Sequence, residues 1–387
     1  MGRPAAVIRP DIAPGRRVIA ISDIHGNLSC LKGLLKKVGF SRDDVLILVG
    51  DLLEKGRDSL AVLRFVLELQ KEHTVYPLCG NCDYIDRMFL DWEADENATF
   101  FKRDNTRILA AAGVAEALWP VLEYWGNRSV LIQMGLELGH PMPRRASDLP
   151  ALRAALLDYF PRETRFLMTM PHILESGNFI FVHGGIPRED RLDELDAYSC
   201  MKNDDFLGQG HSFQKWVAVG HWPVTLYDPS IQRSSPLVER ERHIISLDGG
   251  CVLKVDGQLN ALIIPDITGD EFQFASYDDL PRAVALDGQE ASYNPINIRW
   301  SDSVVEPLAE NGDCLFVRHP SSGRTLWVPR DFVQRWRDGK LHTEDATDYC
   351  LPVSPGDELA LVRETQRGLL VKKDGVTGWY HGRIERK

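Results

Sequence analysis

The stretch RRVIAISDIHG, Arg16 to Gly26, decides how this chain is read. Its apolar, β-rich run from Arg16 to Ser22 predicts a short buried strand. Asp23, His25 and Gly26 follow at once, where strand gives way to loop. Leu28–Val38 then has helical spacing. The same arrangement recurs downstream. Val45–Val49 (VLILV) ends in Gly50-Asp51 and is followed by a helical segment, Ser59–Lys71. Thr74–Leu78 is a third strand, ending in Gly80-Asn81. Short buried strands alternating with amphipathic helices predict βαβ crossovers. In open α/β sheets the polar residues just past the strand ends line the site.

Beyond this unit the pattern changes twice. Residues 84–177 read as a mostly helical insert, with helices expected over Thr106–Ala117, Asp148–Tyr159 and Arg162–Met170. Strands resume at Asn178–Val182, Trp216–Val219, Ile244–Leu247, Val252–Val255 and Leu259–Ile264. No long helix lies between them, which predicts a mixed second sheet and a two-sheet α/β sandwich flanked by helices. Asp266–Arg299 is acidic, contains Gly and Pro, and reads as extended. Short β runs between Gly, Pro and Asp turns then predict a small β-barrel-like region, whose TLWVPRDFV and DGVTGWYHGRI segments resemble Src-homology-3-like or bacterial cell-wall-type modules. The expected organisation is a catalytic domain over 1–285 with a helical cap at 84–177, a linker at 286–299, and a β domain or tandem at 300–387.

Composition narrows the function. Lys and Arg number 45 against 56 Asp and Glu, a net charge of −11. That balance argues against general nucleic-acid binding and against anionic membrane surfaces. Seven cysteines in no paired spacing read as reduced thiols of a cytoplasmic protein. The polar, Pro-rich start carries no signal-peptide pattern, and no apolar run reaches the ~18 residues of a membrane span.

Five short segments place Asp, His or Asn at a strand end: SDIHG (22–26), GDLLEKG (50–56), GNCD (80–83), VHGG (182–185) and VGHWP (219–223). A sixth, LDGG (247–250), closes the series. Taken singly each has an ordinary explanation. A strand-terminal Asp is often a helix N-cap, and a histidine in an apolar strand is often a hydrogen-bonded core residue. Together, carboxylate, imidazole and amide oxygen suit a pair of divalent ions such as Mn, Fe, Zn or Mg, with manganese favoured. A carboxylate such as Asp51 can bridge two cations, and such a pair lowers the pKa of a shared water and clamps a phosphoryl group.

The order of these segments resembles the calcineurin-like metallophosphoesterase superfamily. GDLLEKGRDSLAVL, VHGGIP, GHWPV and LDGGCVLKVDG resemble its serine/threonine phosphoprotein phosphatase branch over about residues 16–265. The resemblance implies that Asp23, His25 and Asp51 bind one metal and that Asp51, Asn81, His183 and His221 bind a second. It also exposes departures. Where the family has a histidine acting as acid toward the leaving group, this chain has Cys82. The residue that would orient that histidine is matched by Glu54. The phosphate-holding arginines are matched by Lys55 and Cys79, and a third, loosely, by Lys202. GNCD also occurs in small bacterial phosphodiesterases of the same superfamily.

Three functions follow as alternatives: a phosphatase of phosphoproteins or small monoesters, a phosphodiesterase or dinucleoside-polyphosphate hydrolase, and an inactive binding module. The C-terminal β region is a candidate surface for a protein or peptide partner. His140, His172, His211 and His243 are expected at the surface or as caps. Cys30, Cys200, Cys251, Cys314 and Cys350 are expected as core thiols. Trp92, Trp119 and Trp125 are expected in the core of the cap, and Arg87, Arg103 and Arg107 on a solvated helix face.

Overall fold

The computed structural model describes residues 3–91 and 109–387, the side chains of 109–112 excepted. Trp92, Arg103 and Arg107 fall outside the described residues.

Two sheets carry the N-terminal architecture. The first runs, in spatial order, Gln273–Tyr277, Leu259–Ile264, Val18–Ile21, Val45–Val49, Thr74–Leu78. Val18–Ile21 pairs parallel with Val45–Val49, which pairs parallel with Thr74–Leu78, so Ile21, Val49 and Leu78 all end at one edge. The second sheet runs Val7–Ile8, Ile173–Ser176, Phe179–Val182, Trp216–Val219, Ile244–Ser246, Leu237–Glu239. Its central strands Phe179–Val182, Trp216–Val219 and Ile244–Ser246 are also mutually parallel.

Alternation explains the packing. Val18 and Ala20, Val45 and Ile47, and Leu262 and Ile264 from the first sheet share one apolar cluster with Leu174, Phe179, Phe181 and Ala218 from the second. The sheets therefore stack face to face as the expected sandwich. Ile19, Ile21, Leu46 and Leu48 point the other way and are also buried. Strands covered on both faces read as continuous apolar runs rather than alternating ones. Each fully buried aliphatic side chain contributes about 1.5–3 kcal/mol. Helix Leu28–Lys37 is capped by Asn27, which accepts from the Cys30 amide at 3.1 Å, and it buries Leu31, Leu34 and Leu35.

Within 84–177, helices Leu149–Tyr159 and Pro161–Thr169 form as expected. Helix Leu109–Trp125 is interrupted at Gly113 (φ 81°) and contains Pro120. Helix Val130–Glu137, not foreseen, follows it.

Contacts divide the chain into two units: residues 1–222, 238–247 and 260–275, and residues 223–237, 248–259 and 276–387. In the second unit Arg282–Ala285 pairs with Glu358–Thr365 and with Ile384–Arg386, completing a five-stranded sheet. By contact, this unit takes in 223–237 and 248–259 from within the expected 1–285 domain, and its last segment begins at Ser276 rather than at the expected 300. The stretch expected to be extended over 266–299 carries strands Gln273–Tyr277, Arg282–Ala285 and Asn297–Ile298. A second five-stranded sheet includes Val304–Asn311, Cys314–Arg318 and Thr325–Pro329 and has its own apolar core around Val305, Val317 and Val328. The expected strand at Val252–Val255 is instead a turn. The amides of Leu253 and Lys254 both bond to the Gly250 carbonyl, leaving Val252 exposed at φ 68°.

Candidate metal centre

The loops that follow the parallel strands are zipped together by their backbones. The amides of Asp23, His25 and Gly26 donate to the carbonyls of Gly50, Asp51 and Leu52 at 3.1, 3.0 and 2.9 Å. In the other sheet Gly220 donates to the His183 carbonyl (2.9 Å). The two sets of loops meet where the His221 amide donates to Asp23 Oδ2 at 3.0 Å. The Cys82 amide donates to Asp51 Oδ1 at 2.8 Å. Asp23, His25, Asp51, Glu54, Lys55 and His221 all adopt left-handed backbone conformations, φ 48° to 68°. Such conformations are costly for residues with a Cβ and cluster at functional sites. Two glycines are required by proximity. A Cβ at Gly80 would strike the amide and carboxylate of Asp51, and one at Gly220 would strike the Asp23 carboxylate.

The side chains converge. The Nε2 of His25 lies 3.6 Å from Asp51 Oδ2 and 3.9 Å from Asp23 Oδ1. The Nε2 of His183 lies 3.4 Å from Asp51 Oδ1 and 3.3 Å from Asn81 Oδ1. Ligand atoms of Asp23, Asp51 and His183 fall within 4.8 Å of one another, as do those of His25, Asp51 and Cys82. Asp51 is common to both groups, as a bridging carboxylate requires.

The tautomers fit cations as well. His183 Nδ1 lies 2.9 Å from the Val49 carbonyl and His25 Nδ1 lies 3.4 Å from the Leu53 carbonyl. With the proton on Nδ1, each Nε2 turns a lone pair toward carboxylate oxygens. Acceptors facing acceptors in a buried site call for a cation between them. Burial, reinforced by Lys55, lowers His25 to about 3. Burial likewise lowers His183, and brings His221 to about 4, so all three imidazoles are neutral at pH 7, the form that can bind a metal. Burial acts against the Asp51 charge, but His183, His25 and Lys55 outweigh it and hold the carboxyl below its ordinary range. The donor set fits two divalent ions.

His221 sits at the rim, its ring 5.2 Å from that of His183. Its Nε2 lies 2.8 Å from Asp204 Oδ1 and 3.1 Å from Lys202 Nζ, and Lys202 pairs with Asp204. The sequence gives no periodicity or strand end to mark Asp204, a surface acid in an irregular loop. Lys55 extends its ammonium to 3.4 Å from His25 Nε2 and 3.9 Å from Asp51 Oδ2. Cys79 is fully buried and turned to its own chain, so its thiol makes no phosphate site.

Cys82 is 2% exposed and within reach of the Asn81 amide nitrogen (3.5 Å). Glu54 is turned away from the site and accepts from the Val130 amide at 2.7 Å. Its neighbours Asp83 and Asp86, on helix Asn81–Leu90, are also fully buried. Asp83 accepts from the amides of Gly80 (2.9 Å), Leu52 (3.1 Å) and Leu53 (3.2 Å), fixing the helix to the Asp51 loop. Neither acid stood out in the sequence. Asp83 lies within GNCD, and Asp86 shares the i, i+3 spacing that would have indicated a common face.

Among the other residues considered, His172 is corrected. It is buried at 2% exposure, and its Nδ1 accepts from the Ala6 amide at 2.8 Å. Trp125 is buried and Trp119 half-buried. All seven cysteines are free thiols, with Cys350 only half-buried. Among the described residues no helix is long and apolar enough to cross a membrane.

Residues 16–248 match the family described as calcineurin-like phosphoesterase. A bis(5'-nucleosyl)-tetraphosphatase PrpE [asymmetrical] of Oceanobacillus iheyensis is 34% identical over 264 residues, 61% of this chain and 84% of that protein. The Shewanella-like protein phosphatase 2 of Arabidopsis thaliana is 27% identical over 199 residues, 45% of this chain and 47% of that protein. A solved cold-active protein-tyrosine phosphatase of a psychrophilic Shewanella species has 15% identity and a TM-score of 0.39, over 70% of this chain and 83% of that one. The matched segment spans the strands and loops that bring Asp23, Asp51, Asn81, His183 and His221 together, and the chain belongs to the calcineurin-like phosphoesterase family, hydrolases of phosphate esters.

Proposed function

We propose that Asp23, His25 and Asp51 hold one divalent ion, that Asp51, Asn81, His183 and His221 hold a second, and that the substrate is a phosphoanhydride or an activated phosphodiester. Two bound cations supply charge against the phosphoryl oxygens and lower the pKa of a water. Lys55, beside Asp51, and Lys202, beside His221, supply further positive charge for the phosphate. Each acts as a point charge rather than as a bidentate fork. Manganese is the proposed metal, since the carboxylate, amide and imidazole donors suit it.

Cys82 carries the choice of substrate. Burial raises its thiol well above the ordinary range, and a thiol is a weak hydrogen-bond donor. With Glu54 engaged by Val130, no imidazole acid is arranged for the leaving oxygen. A serine alkoxide needs such an acid, whereas a nucleotide phosphate or a phenolate does not. The similarity to a protein named for bis(5'-nucleosyl)-tetraphosphatase activity supports the same reading. A cytoplasmic location belongs to it, as does a protein or peptide partner for the C-terminal β region.

The test is a turnover panel on the manganese-loaded protein: dinucleoside tetraphosphate, bis-aryl phosphate, aryl phosphate and a phosphoserine peptide. The reading expects the anhydride first and the peptide last. A phosphoserine peptide at the head of the panel would return the enzyme to the protein-phosphatase reading carried by GDLLEKG and VHGG.

A further inference from the structure

Lys55 lies beside His25 and Asp51 of the candidate metal centre on a turn in which two consecutive residues with side chains, Glu54 and Lys55, hold left-handed conformations (φ 68° and 67°). Such a conformation is costly for a residue with a Cβ and persists only when its surroundings over-determine it. The surroundings here are the cap. The Glu54 carboxyl, wholly buried, accepts from the amide of Val130, the first residue of helix Val130–Glu137. The Glu54 amide donates to Ser59 Oγ at 3.0 Å, and that hydroxyl donates to the Arg128 carbonyl at 3.0 Å. Gln133 of the same helix accepts from the Leu60 amide (2.8 Å) and donates to the Arg57 carbonyl (3.0 Å).

We propose that Glu54 is a positioning residue that couples the cap to phosphate binding: by gripping the first turn of helix Val130–Glu137 it fixes the strained turn that aims Lys55 at the metal centre. The inference rests on the reading of Lys55 as a phosphate ligand. In this chain the position that would orient an acid has been turned to hold a lysine.

The far side of Glu54 supports the same role. The wholly buried carboxyl of Asp86 is its electrostatic neighbour. Two neighbouring buried carboxyls disfavour carrying charge together, so each raises the other. Burial pushes the Glu54 carboxyl up to about 8. A glutamine at 54 reproduces that neutral form. It keeps an oxygen for the Val130 amide and gains a donor for Asp86.

The experiment measures the inhibition constant of inorganic phosphate against the manganese-loaded, full-length enzyme, with kcat and KM beside it. Lys55→Met should weaken phosphate about 30-fold, the scale of one charged hydrogen bond. Glu54→Leu removes the acceptor. Val130→Pro removes the donor without touching Glu54, and proline is tolerated at a first helical position. The preceding Ser129 is already extended (φ −73°, ψ 134°), as a residue before proline prefers. Each should weaken phosphate about tenfold, the cost of a misplaced contact group, and raise KM more than it lowers kcat. Glu54→Gln should stay within about twofold of the parent, since the acceptor is kept. Neither Glu54→Leu nor Val130→Pro should add to Lys55→Met. If Lys55→Met leaves phosphate affinity unchanged, the assignment of Lys55 fails and this inference falls with it. If Lys55→Met weakens phosphate but Val130→Pro does not, or its effect is the same in both backgrounds, Lys55 binds phosphate without the cap and the coupling alone is refuted.

Discussion

Replacing Cys82 by histidine supplies the side chain that the resemblance to serine/threonine phosphatases implies as the acid toward the leaving group. The structure sets how much that can return. A well-tuned general acid contributes about 10²–10⁴-fold. An imidazole at 82 would begin from an ordinary value near 6.5. It would then meet what His25 meets, burial and the Lys55 ammonium, and those lower His25 to about 3. Glu54, committed to Val130, cannot counter that shift. The new imidazole is thus mostly neutral at pH 7 and carries a larger share of protons at pH 6. The expected gain on an alkyl phosphate monoester is therefore about tenfold at pH 7 and larger at pH 6, with little change on an aryl ester. The larger ring in a site 2% exposed should also cost about 1–3 kcal/mol of stability. The assay is the ratio of kcat/KM for an alkyl ester to that for an aryl ester at both pH values, with Cys82→Ser as the control. An unchanged ratio at pH 6, in protein that still binds its metals, would refute the reasoning and leave Cys82 as packing alone.

Other outcomes follow from individual contacts. Gly80→Ala drives a Cβ into the Asp51 carboxylate, so metal content measured after dialysis should fall while far-ultraviolet circular dichroism stays native; full metal content would refute the close approach. His172 is held neutral by burial and by Arg87 and Arg3, which bring it to about 4. The unfolded chain takes up that proton near 6.5 and the folded chain only near 4. Stability should therefore fall by up to about 3 kcal/mol as pH drops through that window. His172→Asn keeps an acceptor for the Ala6 amide and should flatten that slope in denaturant titrations, which an unaltered slope would contradict. Lys372 is 3% exposed, pairs with Asp278 at 2.7 Å and donates to the Asp256 carbonyl at 2.7 Å. Lys372→Met leaves Asp278 paired with Arg282 alone (2.8 Å) and frees the Asp256 carbonyl, and should cost about 1–3 kcal/mol, read as a lower melting temperature of the C-terminal unit.

The sequence was most legible where one physical rule governs one residue. Val18–Ile21 and Val45–Val49 are apolar because both faces of a parallel sheet are covered there, Thr74–Leu78 at the sheet edge is only partly covered on one face, and the candidate ligands sit at the strand ends because loops converge there. Glu54 was harder. Its position in GDLLEKG says that it stands near the metals, but nothing local says that its carboxyl turns toward a helix 76 residues away. Asp204 sits in a loop without periodicity, so its approach to His221 is a tertiary fact. Val252–Val255 looked like a strand by composition, yet the Gly250 carbonyl takes two amides and closes a turn there. The acidic, Gly- and Pro-containing stretch after Asp266 looked like a tether. Its strand Arg282–Ala285 contains only two apolar residue types and finds its partners 74 to 103 residues downstream, at Glu358–Thr365 and Ile384–Arg386.

The most direct measurement is the metal content of the purified chain, taken with turnover, for the parent and for Asp51→Asn. Asparagine keeps an oxygen for the Cys82 amide but removes the charge shared by both ligand groups. The account predicts two ions per parent chain, loss of at least one of them in the variant, and turnover down by about 10³-fold or more, the several kcal/mol that metal charge supplies to the transition state. A parent active with no bound divalent ion, or an Asp51→Asn variant that keeps both ions and full turnover, would contradict it.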